Sequence, residues 1–355
     1  MRLQNAVSAL ERWLRGRSLA IISLVFLVLG LLKSGLHVGV PVVFSLDSWP
    51  SPAEIYPYSS YGLRLLAWLT RGESVTHYNW ILAVLVICTS ATIIWCLSVS
   101  LTGEGGRWTA MILASGPIGW LLFVVGNNDP FLIAGGLLVG LLGRHYWSVI
   151  PGAAIAILGN PELALAMTTA GTIVCLASPF RRRLGPMLLS VAISGIAVMS
   201  LTTWAVAVGS TTRTGLLLVN LKTSLMHFAI QLPLILYSGL GLSLFVLVWA
   251  ILRSSVRDGV CIFTGAVAIP VWMTAITTDG TRVLVCSSII AVAVVTAHFG
   301  PSLYLRLRPH LPYPLTITAA GIVFAPAIVL QGRFVIAPWE YIYPVVQAYL
   351  IDGAG

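Results

Sequence analysis

The chain has 355 residues, of which 58% are hydrophobic and only 9% charged. A soluble domain carries about a quarter charged residues, and no buried core accounts for that gap. The formal charge of +9 suggests nucleic acid at first sight, but basic residues that cluster at the ends of apolar runs read as membrane-orientation signals.

The apolar runs are mostly ~16–24 residues and do not alternate, so they predict helices. Backbone groups in lipid must be satisfied internally, which leaves an all-α, polytopic membrane protein in a single transmembrane domain spanning 1–355. Cys88, Cys96, Cys175, Cys261 and Cys286 all lie inside apolar runs without ligand spacing and read as small core residues. The N-terminal apolar run is too long for a cleaved signal peptide and lacks a small-residue cleavage site.

In chain order, residues 1–17 carry Arg2, Arg12, Arg15 and Arg17 beside Val7, Leu10 and Leu14, which predicts an amphipathic helix on the cytoplasmic face. A first span covers 19–43. Lys33 and His37 lie one turn apart on it, facing a cavity together or with Lys33 paired to a buried carboxylate. The first outer loop, 44–78, opens FSLDSWPSPAEIYPYSSYG, with Asp47 and Glu54 among Ser, Pro and Tyr. Its second half, Tyr61–Thr70, predicts a helix in the outer interface.

Further spans are expected at 79–101, 108–126, 131–142, 147–158, 163–178, 184–208, 232–252, 260–277, 283–298 and 315–330, about eleven in all. The segments 131–142 and 147–158 are too short to cross ~30 Å at 1.5 Å per residue. If 147–178 were one long span instead, every later element would invert. The tail 331–355 then lies outside, with Trp339, Tyr341 and Tyr343 at the interface.

This arrangement puts the N-terminus in the cytoplasm and the C-terminus outside a multi-pass cell-membrane protein. Arg107, Arg144, Arg181, Arg182, Arg183, Arg253, Arg257, Arg306 and Arg308 then lie inside, as the positive-inside rule requires. Only Glu11, Glu104 and Asp258 are inner acids. Asp47, Glu54, Glu73, Asp129, Glu162, Asp279, Glu340 and Asp352 fall outside, a bias that the rule does not require.

Four acidic turns at outer helix ends can face one another: Asp47, Asn127-Asn128-Asp129-Pro130, Asn160-Pro161-Glu162 and Thr278–Arg282. Ionised groups at membrane depth are functional candidates by default. Asp47 reads either as a catalytic base or as a solvated loop acid. The Asn160–Glu162 break is a plain hairpin turn or the wall of a wet cavity. Arg282 either holds a phosphate bidentately or pairs with Asp279. Lys222 and His227, with Arg213, form a looser basic group suited to an anionic headgroup. No P-loop, GxSxG, HExxH or paired-Cys motif occurs.

On these residues the chain resembles the GT-C superfamily of integral membrane glycosyltransferases. FSLDSWP supplies the first-loop acid. VVGNNDPFLIAGGLLVGLLGRHYWSVIPGAAIAILGNPELAL is similar to a stretch of the actinobacterial mannosyl- and arabinosyltransferase branches, and TTDGTRVLV lies where many such enzymes carry a late outer turn. Two departures stand out: Asp47 has no adjacent acid, and Asn160 stands where Lys often precedes the Pro.

The resemblance implies a GT-C-like fold with interfacial helices in the first outer loop. It implies inverting transfer of a sugar from a polyprenyl-phosphate donor to a glycan or glycolipid acceptor. Asp47 would be the general base and Arg282 the residue on the donor phosphate. Glu54, Asn127, Asn128, Asp129, Asn160, Glu162, Lys222, His227 and Asp279 are the further donor- or acceptor-binding candidates. Membrane lipids are the other partners. No cofactor or metal is implied, although clustered acids can hold a divalent ion. A glycan polymerase or ligase, or a transporter of lipid-linked sugar, is the alternative. A transporter should show repeated halves and charges at the bilayer midplane.

Overall fold

The computed structural model describes residues 2–34, 37–38, 62–70, 75–116, 124–125, 128–207, 209, 221–277, 280–324, 329–331 and 334–336. Nearly all of them are helical. In chain order the helices are α1 (Arg2–Gly16), α2 (Leu19–Ser34), α3 (Gly62–Leu69), α4 (Val75–Ser100), α5 (Gly103–Ser115), α6 (Asp129–Leu142), α7 (Tyr146–Gly159) and α8 (Pro161–Val174). A 3-10 turn, Ser178–Arg183, leads into α9 (Leu184–Ala207). Then come α10 (Leu221–Leu240), α11 (Ser243–Arg253), α12 (Val256–Phe263), a π turn (Thr264–Ala268), α13 (Ile269–Ala275), α14 (Gly280–Leu307) and α15 (Pro314–Phe324). Two short ladders accompany them. β1 (His37–Val38) pairs parallel with β2 (Val124–Val125), and β3 (Val329–Gln331) pairs antiparallel with β4 (Phe334–Ile336).

Among the described residues four helical stretches are long and apolar enough to cross a membrane: Ala83–Ser100, Ser178–Ala207, Val256–Ala275 and Gly280–Leu307. A fifth arises if Phe228–Leu240 and Ser243–Arg253, bent 95° apart, count as one broken span. Leu19–Gly30, Asp129–Leu142, Tyr146–Gly159 and Pro314–Phe324 are shorter apolar helices. These long apolar helices point to a membrane protein.

Helix α14 is the axis of the bundle. Its most apolar window is 83% buried, against 28% and 22% for the windows in α4 and α9. A helix apolar on every side is a core helix or lies against lipid. Here α14 is the core helix, and α4 and α9 turn Val84, Ile87, Leu188, Ile196 and Met199 outward.

Helix α6 lies parallel to α14 in constant register. Asp129 meets Arg282, Gly136 packs on Ile289, and Gly140 packs on Ala293. Helix α7 returns antiparallel to α6. A Cβ on Gly135 would collide with the Gly152 carbonyl and the Ala156 amide, so the two backbones touch, as small residues permit between membrane helices. Helix α8 turns back again, with Met167 against Gly136 and Gly171 against Ile290. Helices α6, α8 and α14 therefore all start at one end of the bundle.

The opposite end is basic, and its acids tie helices together. Glu11 accepts hydrogen bonds from the Thr316 amide and hydroxyl, at 2.8 and 3.0 Å, and from Arg15 Nε at 3.0 Å. Glu104 accepts from the Tyr304 hydroxyl at 2.8 Å and pairs with Arg15 and Arg308. Burial opposes the Arg15 charge, but the hydrogen bond to Glu11 and the charges of Glu104 and Glu11 outweigh it and raise its pKa. Asp258 accepts from the Ser178 amide and hydroxyl and so fixes the start of the 3-10 turn.

Several elements differ from the sequence reading. Helix α2 stops at Ser34, so His37 is not on it but in β1, paired with Val124. The segment 209–231, read as a loop, contains the first half of α10. The straight span 232–252 is broken at Gly241, whose φ of +50° suits glycine. Helix α14 continues past His298 to Leu307, through Pro301. The stretch 147–178 is not one span: it breaks at Asn160 into antiparallel α7 and α8.

Candidate functional site

The end where α6, α8 and α14 begin gathers most of the described acidic-turn candidates. At α6, Asn128 is the N-cap and is 8% exposed, Asp129 is the first helical residue and Pro130 the second. Proline at a helix start has no amide to leave unpaired, and its φ is already helical. Asp129 is fully buried. Its Oδ2 accepts from Arg282 Nε at 2.6 Å. Its Oδ1 has no hydrogen-bond partner among the described residues. Most buried carboxylate oxygens are hydrogen-bonded, because an unmet one keeps its desolvation cost.

At α8, Asn160 adopts extended backbone (φ −167°, ψ 112°), and its Oδ1 accepts from the Leu163 amide at 2.9 Å. This is an N-cap followed by Pro161 at the first helical position. Glu162, half-buried, lies in the first turn. The α6 and α8 turns touch: a Cβ on Gly159 would stand 2.9 Å from the Asn128 carbonyl and from Leu132. At α14, the Thr281 hydroxyl lies 3.0 Å from Ser238 Oγ of α10.

Both described flanks of the segment that carries Asp47 and Glu54 reach this end. Before it, β1 pairs with β2, four residues ahead of Asp129. After it, α3 packs so closely that a Cβ on Gly62 would collide with the Phe131 ring. Leu66, Ile81, Leu85, Phe131, Ile155 and Leu158 form the small apolar cluster that closes this contact.

The structure thus brings Asn128, Asp129, Asn160, Glu162 and Arg282 to one end. Arg282 donates to Asp129, a partner the sequence reading did not weigh beside Asp279 or a phosphate. Nothing local links two residues 153 positions apart; only the parallel packing of α6 on α14 does. Lys222 is exposed at the start of α10, about 24 Å along the helix from Ser238 at 1.5 Å per residue. It does not join the cluster. Asp47, Glu54, Asn127 and Asp279 lie outside the described residues, as do Arg213 and the side chain of His227. Among the described residues no three His, Cys, Asp or Glu side chains gather as a metal site would need.

Chemically, the end presents a buried carboxylate held by a guanidinium at two helix N-termini. Positive helix ends stabilise negative charge placed there. Oδ1, unmet among the described residues, can accept a hydroxyl or an N–H from a bound molecule. No family model, curated protein or solved structure matches the chain.

Proposed function

We propose that the protein is a membrane glycosyltransferase of the GT-C type. It moves a sugar from a polyprenyl-phosphate donor to an envelope glycan or lipid acceptor, with inversion. The observation that carries this reading is the meeting of the Asn128–Asp129 and Asn160–Glu162 turns with Arg282, beside both flanks of the loop that holds Asp47. In this proposal the acidic end faces outward and the arginine-rich end faces the cytoplasm. The full set of about eleven crossings belongs to the same proposal.

In the reaction, the Asp47 carboxylate takes the proton of the acceptor hydroxyl while its oxygen attacks C1 of the sugar. The C1–O bond to the lipid phosphate breaks on the opposite side, and the electron pair leaves with the phosphate. A positioned general base contributes typically ~10²–10⁴-fold. Arg282 meets the charge that develops on the leaving phosphate, as preorganised cations do. Asp129 is a positioning residue that holds the Arg282 guanidinium at the start of α14.

The test is transfer of radiolabelled sugar from polyprenyl-phosphate-mannose and polyprenyl-phosphate-arabinose by purified protein, wild type beside Asp47→Asn. The expected result is transfer from one donor, reduced at least ~100-fold in the variant. Undiminished transfer by Asp47→Asn would remove the base assignment. No transfer from either donor by wild-type protein would remove mannose and arabinose as the sugars and favour another donor, or the polymerase or transporter reading.

A further inference from the structure

The basic end contains a cavity of about 670 Å³, remote from the acidic turns and independent of the glycosyltransferase reading. Its walls come from the end of α4, the α6–α7 connection, the 3-10 turn and the part of α14 just past its midpoint. The polar wall carries Arg144, Arg182, Arg183, His145, His298 and Ser100, and among the described residues no Asp or Glu lines the cavity. Among the described residues neither Arg144 nor Arg182 forms an ion pair. Arg183 donates to the Gly140 carbonyl, which fixes it in the wall. Asp258 of α12, the acid bonded to the start of the same 3-10 turn, accepts from Ser178. Ser100 Oγ is buried and has no hydrogen-bond partner among the described residues.

The remaining wall is apolar: Trp95, Val99, Leu141, Leu142, Trp147 and Val294 contribute to it. Trp95, Val99 and Trp147 are also exposed on the outer face of the bundle. One molecule-sized space is therefore lined by arginines in its polar wall and by aromatic and aliphatic side chains of the outer bundle face in its apolar wall. A small soluble anion has no use for the second wall, and a neutral lipid has none for the first.

We propose that this cavity binds an anionic phospholipid, its phosphate between Arg144 and Arg182 and its upper chain against Trp95 and Val99. Guanidinium groups hold phosphate oxygens bidentately, with geometry that lysine lacks. The volume lies within the range of ordinary ligand sites. The Ser100 hydroxyl supplies a neutral hydrogen bond to the same headgroup. Basic pockets between membrane helices are a recognised way to hold anionic headgroups.

The test uses delipidated full-length protein in neutral detergent, titrated with phosphatidylglycerol or phosphatidylcholine and read by native mass spectrometry. The expected result is at least about tenfold preference for phosphatidylglycerol, lost in R144Q/R182Q while the melting profile stays cooperative. Equal binding of the two lipids overturns the proposal, as does a preference that survives in R144Q/R182Q. Displacement of phosphatidylglycerol by micromolar glycerol phosphate or inorganic phosphate would assign the site to a soluble anion and overturn the lipid. If the double variant does not fold, the single variants R144Q and R182Q, at exposed positions, decide the matter. Each should weaken phosphatidylglycerol several-fold, and no change in either overturns the proposal.

Discussion

The two ends of the bundle use acidic residues in opposite ways. At the basic end Glu11, Glu104 and Asp258 each accept at least one hydrogen bond, and each joins segments far apart in sequence. These carboxylates are structural ties. At the acidic end Asp129 is more deeply buried than any of them, yet one of its oxygens has no partner among the described residues. An acid whose hydrogen bonds join distant segments holds a fold together. An acid buried with capacity in reserve is one that a ligand can complete.

Four single substitutions and one double variant break or sharpen that contrast. The largest effect is expected from Arg282→Ala. It strands a buried carboxylate, which costs about 3–5 kcal/mol when one partner of a buried pair is removed. Asp129→Asn with Arg282→Met should recover most of the stability in denaturant melts but not sugar transfer. Recovery of transfer as well would mean the pair serves only stability.

Next comes Gly135→Ala, which drives a methyl into the Gly152 backbone and should cost about 2–3 kcal/mol as an overpacked contact. Because α7 carries the chain to Asn160, transfer should fall with it. Glu11→Gln follows, at about 1.5–3 kcal/mol for weakened hydrogen bonds to a charged group. Here the melt should shift and transfer per folded molecule should not. Smallest is Tyr304→Phe, which removes one hydrogen bond to Glu104 and should cost about 1 kcal/mol, again with transfer intact. Loss of transfer in either basic-end variant would mean that the two ends are coupled.

Much of the acidic end was legible in the sequence because its signals are local. Asn160-Pro161 and Asp129-Pro130 announce helix starts through a capping side chain and a ring that fits only the first turn. The shortness of 131–142 and 147–158 was legible by counting. The bend between α10 and α11 was not. The run 232–252 is apolar throughout, and Pro233, its obvious breaker, sits inside a continuous helix while the turn falls at Gly241. The length of α14 was equally hidden. His298 and Pro301 look like an end, but Pro301 packs on Gly105 and the buried Tyr304 beyond it is tied to Glu104. Tertiary contacts therefore carry the helix through its own stop signals.

By itself, the sequence determined the apolar solvent, the helical class and the starts of α6 and α8. Those follow from hydropathy and from backbone chemistry within a few residues. Only the tertiary structure decided that Asp129 belongs to Arg282, that α14 is the axis of the bundle, and that Arg144 and Arg182 share a cavity with Trp95. In a chain this apolar, nearly every helix face is greasy enough to be buried or to meet lipid. Hydropathy cannot tell one from the other. Small residues such as Gly135, Gly136 and Gly140 decide which backbones approach, and that approach brings distant charges together.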